Sequence, residues 1–180
     1  MQTKTDKALS PANSRGFTII EVAIAMLILS VGLLGVAGLQ ATGMKSTYDS
    51  HQRSIAMTQA RDLADRIRAN LTGMRTGEYV KTIPTAPPSP DCESPGNACD
   101  AAQLAMSDLY KWESTNGQLL PSGRGELTCT DVDPATPALL EPGTACLVTL
   151  RWDGDRKGAT GTGCSGATSD MTCLRMRFIP

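Results

Sequence analysis

From Val22 to Leu39 no residue is charged, and Ser30 is the only hydroxyl. With Phe17–Glu21 added, the segment reaches about the ~20 residues that a membrane-spanning helix needs. A run this apolar leaves few options, because in lipid the backbone has to satisfy its own polar groups, as a helix does. It also carries one carboxylate, Glu21, near its beginning. A lone charge at the centre of a bilayer costs about 2.5–3.5 kcal/mol on insertion scales. The residue therefore requires a reason to be there.

Residues 1–16 hold Lys4, Lys7 and Arg15 against one acid, Asp6, and contain no apolar run. They read as a basic cytoplasmic leader, not a folded element. A secretory signal would place its small-residue cleavage site after the apolar run, where Ala41–Gly43 is small enough to keep that option open. An ordinary membrane anchor would leave Glu21 without a purpose.

The helical pattern continues past Gln40. Apolar positions recur at Met44, Tyr48, Ile55, Ala60, Leu63, Ile67 and Leu71, mostly three or four apart. Arg61–Asp65 and Asp62–Arg66 have the i,i+4 spacing of ion pairs on the polar side. Asn70-Leu71-Thr72-Gly73 is expected to end the helix at a glycine stop. A helix from Phe17 to about Thr72 would be roughly 80 Å long at 1.5 Å per residue. Its first half is suited to lipid and its second to packing on a globular head. Gly32, Gly35 and Gly38 permit two readings: small contacts between neighbouring helices, or a stretch that unwinds outside lipid.

The chain's 180 residues suggest one domain, or one domain plus an appendage. A net charge of −1 and a pI near 5.8 give no electrostatic case for nucleic acid. Two Phe, two Trp and three Tyr supply few stacking platforms. Six cysteines, Cys92, Cys99, Cys129, Cys146, Cys164 and Cys173, all follow the apolar segment. An even number beyond a membrane-targeting segment points to disulfides in an oxidising compartment. No C-x-x-C occurs and the single histidine, His51, is distant in sequence, so no metal is expected.

After the helix, Pro84, Pro87, Pro88, Pro90 and Pro95 rule out regular structure. Asp100 with Gln103 resembles a capping box for a short helix with the stripe Ala102, Ala105, Leu109 and Trp112, stopped at Asn116-Gly117. Three strand candidates follow: Glu126–Thr130, Ala145–Trp152 and Thr172–Ile179. Cys146, Val148, Leu150 and Trp152 share one face of the second, and Leu174, Met176 and Phe178 one face of the third. The sum is an α+β fold, a long helix on a small antiparallel sheet. Its parts are a leader at 1–16, a membrane half of the helix at 17–39, an amphipathic half at 40–73 and a head at 74–180.

A basic leader, then Gly16-Phe17-Thr18-Ile19-Ile20-Glu21 and an apolar run, resembles the class III signal of type IV pilins and pseudopilins. The stretch Ala25–Gln40 is similar to that of the PilV family of minor pilins; Ile19 stands where leucine is common in such signals. The resemblance implies a type IV pilin-like fold, cleavage between Gly16 and Phe17 by a prepilin peptidase, and methylation of the new Phe17 amine. It also answers for Glu21. Along a helix Glu21 lies i+4 from the Phe17 amine, and between packed subunits it meets the amine of a neighbour, serving as a register device in assembly. The implied partners are other minor pilins, the major pilin and a tip-associated adhesin. The implied location is the inner membrane with a periplasmic head, then the pilus, with roles in pilus assembly, twitching motility and adhesion. No catalysis and no cofactor are expected. The alternatives are a type II secretion pseudopilin and, from another class, a membrane-tethered periplasmic enzyme.

Three further matches carry little. Gly161–Gly166 fits G-x-G-x-x-G but precedes no credible helix. Asn70-Leu71-Thr72 fits a glycosylation sequon at a helix end, and His51 has no recognisable catalytic partner. Six cysteines allow 15 connectivities. The strand reading favours local pairs: Cys129–Cys146 across a hairpin, Cys92–Cys99 around Ser94–Asn97, and Cys164–Cys173 from the Gly-rich loop to the last strand.

Overall fold

Thr18 starts the first helix. Its hydroxyl accepts the Glu21 N–H at 3.3 Å and its carbonyl accepts the same group at 3.1 Å, so α1 begins two residues later than Phe17 and spans Ile19–Ala69. The structure is a computed structural model describing residues 16–80, 91–133, 135, 141 and 143–180. The expected leader before Gly16 and the prolines at 84–90 lie outside the described residues. Two compact units are distinguished, one ending at Ser46 and one covering Thr47–Pro180, and α1 contributes to both.

In the first unit, residues 16–46 are exposed throughout and the helix runs unbroken across Gly32, Gly35 and Gly38. Its hydroxyls turn inward along the helix: Ser30 donates to Met26 O at 2.6 Å and Thr42 to Gly38 O at 3.1 Å. Such back-bonding hides a polar group that water would otherwise have to solvate.

In the second unit α1 buries Gln52, Ala56, Ala60, Leu63, Ala64 and Ile67. Ala60, Leu63 and Ile67 of the expected stripe are among them. Met44 and Leu71, also expected in that stripe, are exposed instead, and Ile55 is only half-buried. The true face is narrower and rich in alanine, and it shares the core with the strands. Gln52, polar yet 2 % exposed, sits in it because its Oε1 accepts the Trp152 indole N–H at 2.8 Å.

The helix does not end at a glycine stop. It ends at Ala69, where Asn70 (φ −125°, ψ 59°) leaves helical geometry and caps α2, Leu71–Arg75, by accepting the Gly73 N–H at 3.2 Å. Gly73 lies inside α2 and is buried, and its role is close approach: a Cβ there would meet the Ala101 carbonyl at 2.7 Å. A 3-10 turn, Glu78–Val80, follows.

The capping box is present in both halves: Gln103 N–H donates to Asp100 Oδ1 at 2.8 Å, and Asp100 N–H to Gln103 Oε1 at 3.0 Å. It opens α3, Ala101–Leu119, which buries Ala105, Leu109 and Trp112 and leaves Ala102 half-buried. Asn116-Gly117 does not stop this helix. Asn116 is fully buried and its carbonyl accepts the Leu120 N–H at 2.9 Å, so the last turn continues to Leu119.

Three strands form one antiparallel sheet in the order β1-β2-β3: β1 Arg124–Thr130, β2 Ala145–Trp152 and β3 Thr172–Phe178. β1 is two residues longer than its sequence signal. Gly125, which has no side chain to report hydrophobic alternation, lies against the Trp112 ring and donates its N–H to Glu113 Oε2 at 2.8 Å. Cys146, Val148, Leu150 and Trp152 of β2 are all buried, and with Leu127, Phe178 and the helices they make one hydrophobic core.

Disulfides join Cys92–Cys99, Cys129–Cys146 and Cys164–Cys173, with Cα–Cα distances of 5.6, 4.0 and 5.6 Å. Cys129 and Cys146 are direct cross-strand partners in the register. Asp91 organises the turn around the first bridge. The Glu93 N–H (3.0 Å) and the Ser94 hydroxyl (2.8 Å) donate to its carboxylate and hold it below its ordinary pKa.

Candidate functional site

The residues that carry the assembly reading lie in the first unit. Gly16 and Phe17 precede the helix and are exposed, Phe17 at 81 %. Because Thr18 is the cap, Phe17 of the uncleaved chain is not within the helix, and Glu21 lies in the first turn of α1, its N–H engaged by Thr18. An acid at that position also complements the helix dipole. In the run after Glu21, the consecutive residues Met26, Leu27, Ile28 and Leu29 are each more than 60 % exposed and, at 3.6 residues per turn, lie on different sides of the helix. No part of this surface is covered by the unit itself: the most apolar window of α1 is 0 % buried. Among the described residues α1 is the one helix long and apolar enough to cross a membrane. A helix apolar all round is stable only when lipid or other helices surround it.

The other residues noted in the sequence are not brought to this segment. His51 is exposed on α1. Asn70 of the sequon is 7 % exposed and fully used: its Nδ2 donates to Ala101 O at 2.8 Å and to Tyr79 Oη at 3.3 Å. The Gly161–Gly166 loop closes on the chain's own carboxylate. Asp170 Oδ2 accepts the Ser165 hydroxyl at 2.6 Å and the Ser165 N–H at 3.0 Å, and these bonds lower its pKa. The cradle that a glycine-rich turn offers to an anion is occupied from within. Among the described residues no group of His, Cys, Asp and Glu has the arrangement to hold a metal ion.

Sequence reasoning missed a buried polar network in the second unit. Tyr79 Oη donates to Asp108 Oδ2 at 2.6 Å, and Arg66 Nη1 donates to Asp108 Oδ1 at 3.1 Å while its Nε holds Asp62 at 2.8 Å. The network ties α1 to α3 and the 3-10 turn. Burial, reinforced by Asp108, pushes the Tyr79 phenol above its ordinary value. Arg66 was legible only as half of a surface i,i+4 pair, and the cation nearest Asp108 in sequence, Lys111 at i+3, pairs with Glu93 instead. Asp65, expected to face Arg61, receives Arg68 at 3.1 Å instead.

Comparison with known families agrees with this geometry. A family profile described as a prokaryotic N-terminal methylation motif matches residues 11–37, the stretch holding Gly16, Phe17 and Glu21. A second, described as type IV pilin Tt1218, matches residues 38–110, the rest of α1 through the first half of α3. The chain is a type IV pilin-like protein. No curated protein and no solved structure matches it. Long apolar helix, three-stranded antiparallel sheet and disulfides together make its fold an α+β pilin-like one. The pilin match points to a structural rather than a catalytic protein, and the methylation motif to processing by a prepilin peptidase in the context of pilus assembly.

Proposed function

We propose that this pilin-like chain is a minor pilin similar to PilV, a subunit that helps prime assembly of a type IV pilus and is incorporated at or near its tip. The observation that carries this reading is the uncharged helical stretch Val22–Leu39, exposed along its whole length and entered through Glu21, shortly after the Gly16–Phe17 junction. Such a surface requires lipid first and other helices afterwards. The proposed division of labour is a leader at 1–16, an assembly helix at 17–39, its amphipathic continuation at 40–73, and a head from 74 to 180 that faces the periplasm.

Cleavage at Gly16–Phe17 leaves a cationic amine on Phe17, and methylation retains its charge. In the packed filament Glu21 neutralises the Phe17 amine of a neighbouring subunit, so that registers which leave either charge unpaired in an apolar setting are disfavoured. The proposed partners are other minor pilins, the major pilin and a tip-associated adhesin, with contributions to twitching motility and adhesion.

Mass spectrometry of the mature protein is expected to find methylated Phe17 as its N-terminus. An intact Met1, or cleavage after the apolar run, would overturn the reading. Deleting the gene is expected to abolish surface pili and twitching. Normal pili with exoproteins trapped inside the cell would instead identify a type II secretion pseudopilin.

A further inference from the structure

The outer edge of β3 is open. Gly125 directs its N–H away from β2, to Glu113, and antiparallel pairs alternate in bonding. Leu150, opposite Gly125, therefore turns its backbone to β3 and pairs with Leu174. It follows that the N–H and C=O groups of Cys173, Arg175 and Arg177 face outward, and no hydrogen bond among the described residues takes them. Arg175 and Arg177 are exposed on the sheet's outer face, and neither has an ion-pair partner among the described residues.

A groove of about 360 Å³ runs beside this edge, between β3 and α1. Its floor is apolar, formed by Ala64, Met176 and Phe178, and its rim carries Arg61, Arg68 and Arg177. The one acid there, Asp65, is already paired with Arg68, whose guanidinium also lies 5.7 Å from the Phe178 ring centroid. Charged residues on an edge strand blunt aggregation. That role does not call for an apolar trough behind the charges.

We propose that this edge is a strand-addition site for a partner protein, taking an extended segment with Asp or Glu at alternate positions and small apolar residues between them. Backbone groups pair with β3 and give affinity, and the alternation gives specificity. The acids meet Arg175 and Arg177 on the outer face, and the apolar residues cover Met176 in the groove. The site belongs to the second unit alone and does not depend on which filament the first unit enters.

The test uses the full chain in detergent micelles with the synthetic peptide acetyl-Glu-Val-Glu-Val-Glu-amide. Binding is expected to slow amide hydrogen exchange at Arg175 and Arg177, and to weaken at least about tenfold in the double variant Arg175→Glu/Arg177→Glu and as salt rises. The same peptide N-methylated along its length keeps its charge but loses its backbone donors, and is expected not to bind. No binding, binding without slowed exchange at these two amides, equal binding of the N-methylated peptide, or equal binding of acetyl-Lys-Val-Lys-Val-Lys-amide would each overturn the proposal.

Discussion

Replacing Tyr79 by Phe removes one hydroxyl from the buried network that joins α1, α3 and the turn between them. Tyr79 is 1 % exposed and Asp108 8 %, so water cannot readily replace the lost donor. A hydrogen bond to a charged group contributes about 1.5–3 kcal/mol. Asp108 keeps Arg66 at 3.1 Å and Asn70 keeps the Ala101 carbonyl at 2.8 Å, so each neighbour retains one partner. The expected loss is therefore in the lower half of that range, about 2 kcal/mol, or roughly 30-fold in the unfolding equilibrium. Trp112 and Trp152 are both buried in the head, so urea unfolding of the full chain in micelles can be followed by tryptophan fluorescence. A second arm uses pH. The folded state holds the Tyr79 proton more tightly than the unfolded chain does, so this stabilisation is complete below about pH 10 and declines as pH rises beyond it. The gap between wild type and Tyr79→Phe should narrow above about pH 10. A gap under about 0.5 kcal/mol at pH 7, or one that stays constant between pH 8 and 11, would refute the reasoning.

Other perturbations test other parts of the molecule. Cys129→Ser with Cys146→Ser opens a bridge of sequence separation 17 and is expected to lower stability by about 3 kcal/mol in the same fluorescence assay. Gly125→Val would drive a side chain into the Trp112 ring, so a loss of about 1–3 kcal/mol is expected as a lower urea midpoint. Glu21→Ala should be inserted and cleaved normally, since removing a charge eases entry into lipid, yet join pili poorly. Immunoblots of whole cells and of sheared pili would report both, and wild-type incorporation would remove the role assigned to Glu21.

Where one residue type in a fixed pattern has a single physical meaning, the sequence was readable. The Asp100–Gln103 box, the β2 alternation and the uncharged run Val22–Leu39 all appear in the structure where their chemistry places them. The misreadings came where small or polar residues do the work of large apolar ones. Ala56, Ala64 and Gln52 complete the buried face of α1 beside Ala60, Leu63 and Ile67, whereas Met44 and Leu71 fit the period but are exposed. Gly73 looked like a stop because glycine ends many helices, yet its lack of a side chain serves contact with Ala101, and Asn70 makes the break. The Arg66–Asp108–Tyr79 network joins residues up to 42 apart in sequence, which no local pattern records. The stretch around Gly16, Phe17 and Glu21 was legible as a methylation motif because such a motif depends on neighbouring residues in the chain.

The three disulfides have sequence separations of 7, 17 and 9, and none encloses another or reaches α1. The covalent skeleton is thus laid down in chain order. Cysteines that meet an oxidant in chain order can lock each loop as the second of its pair arrives, without an earlier partner having to be displaced. The seating of α1 on the sheet is left to packing around Ala56, Ala60 and Leu63. Oxidation therefore hardens the loops and hairpin individually, while the part of α1 within the second unit remains held there by contacts that are reversible.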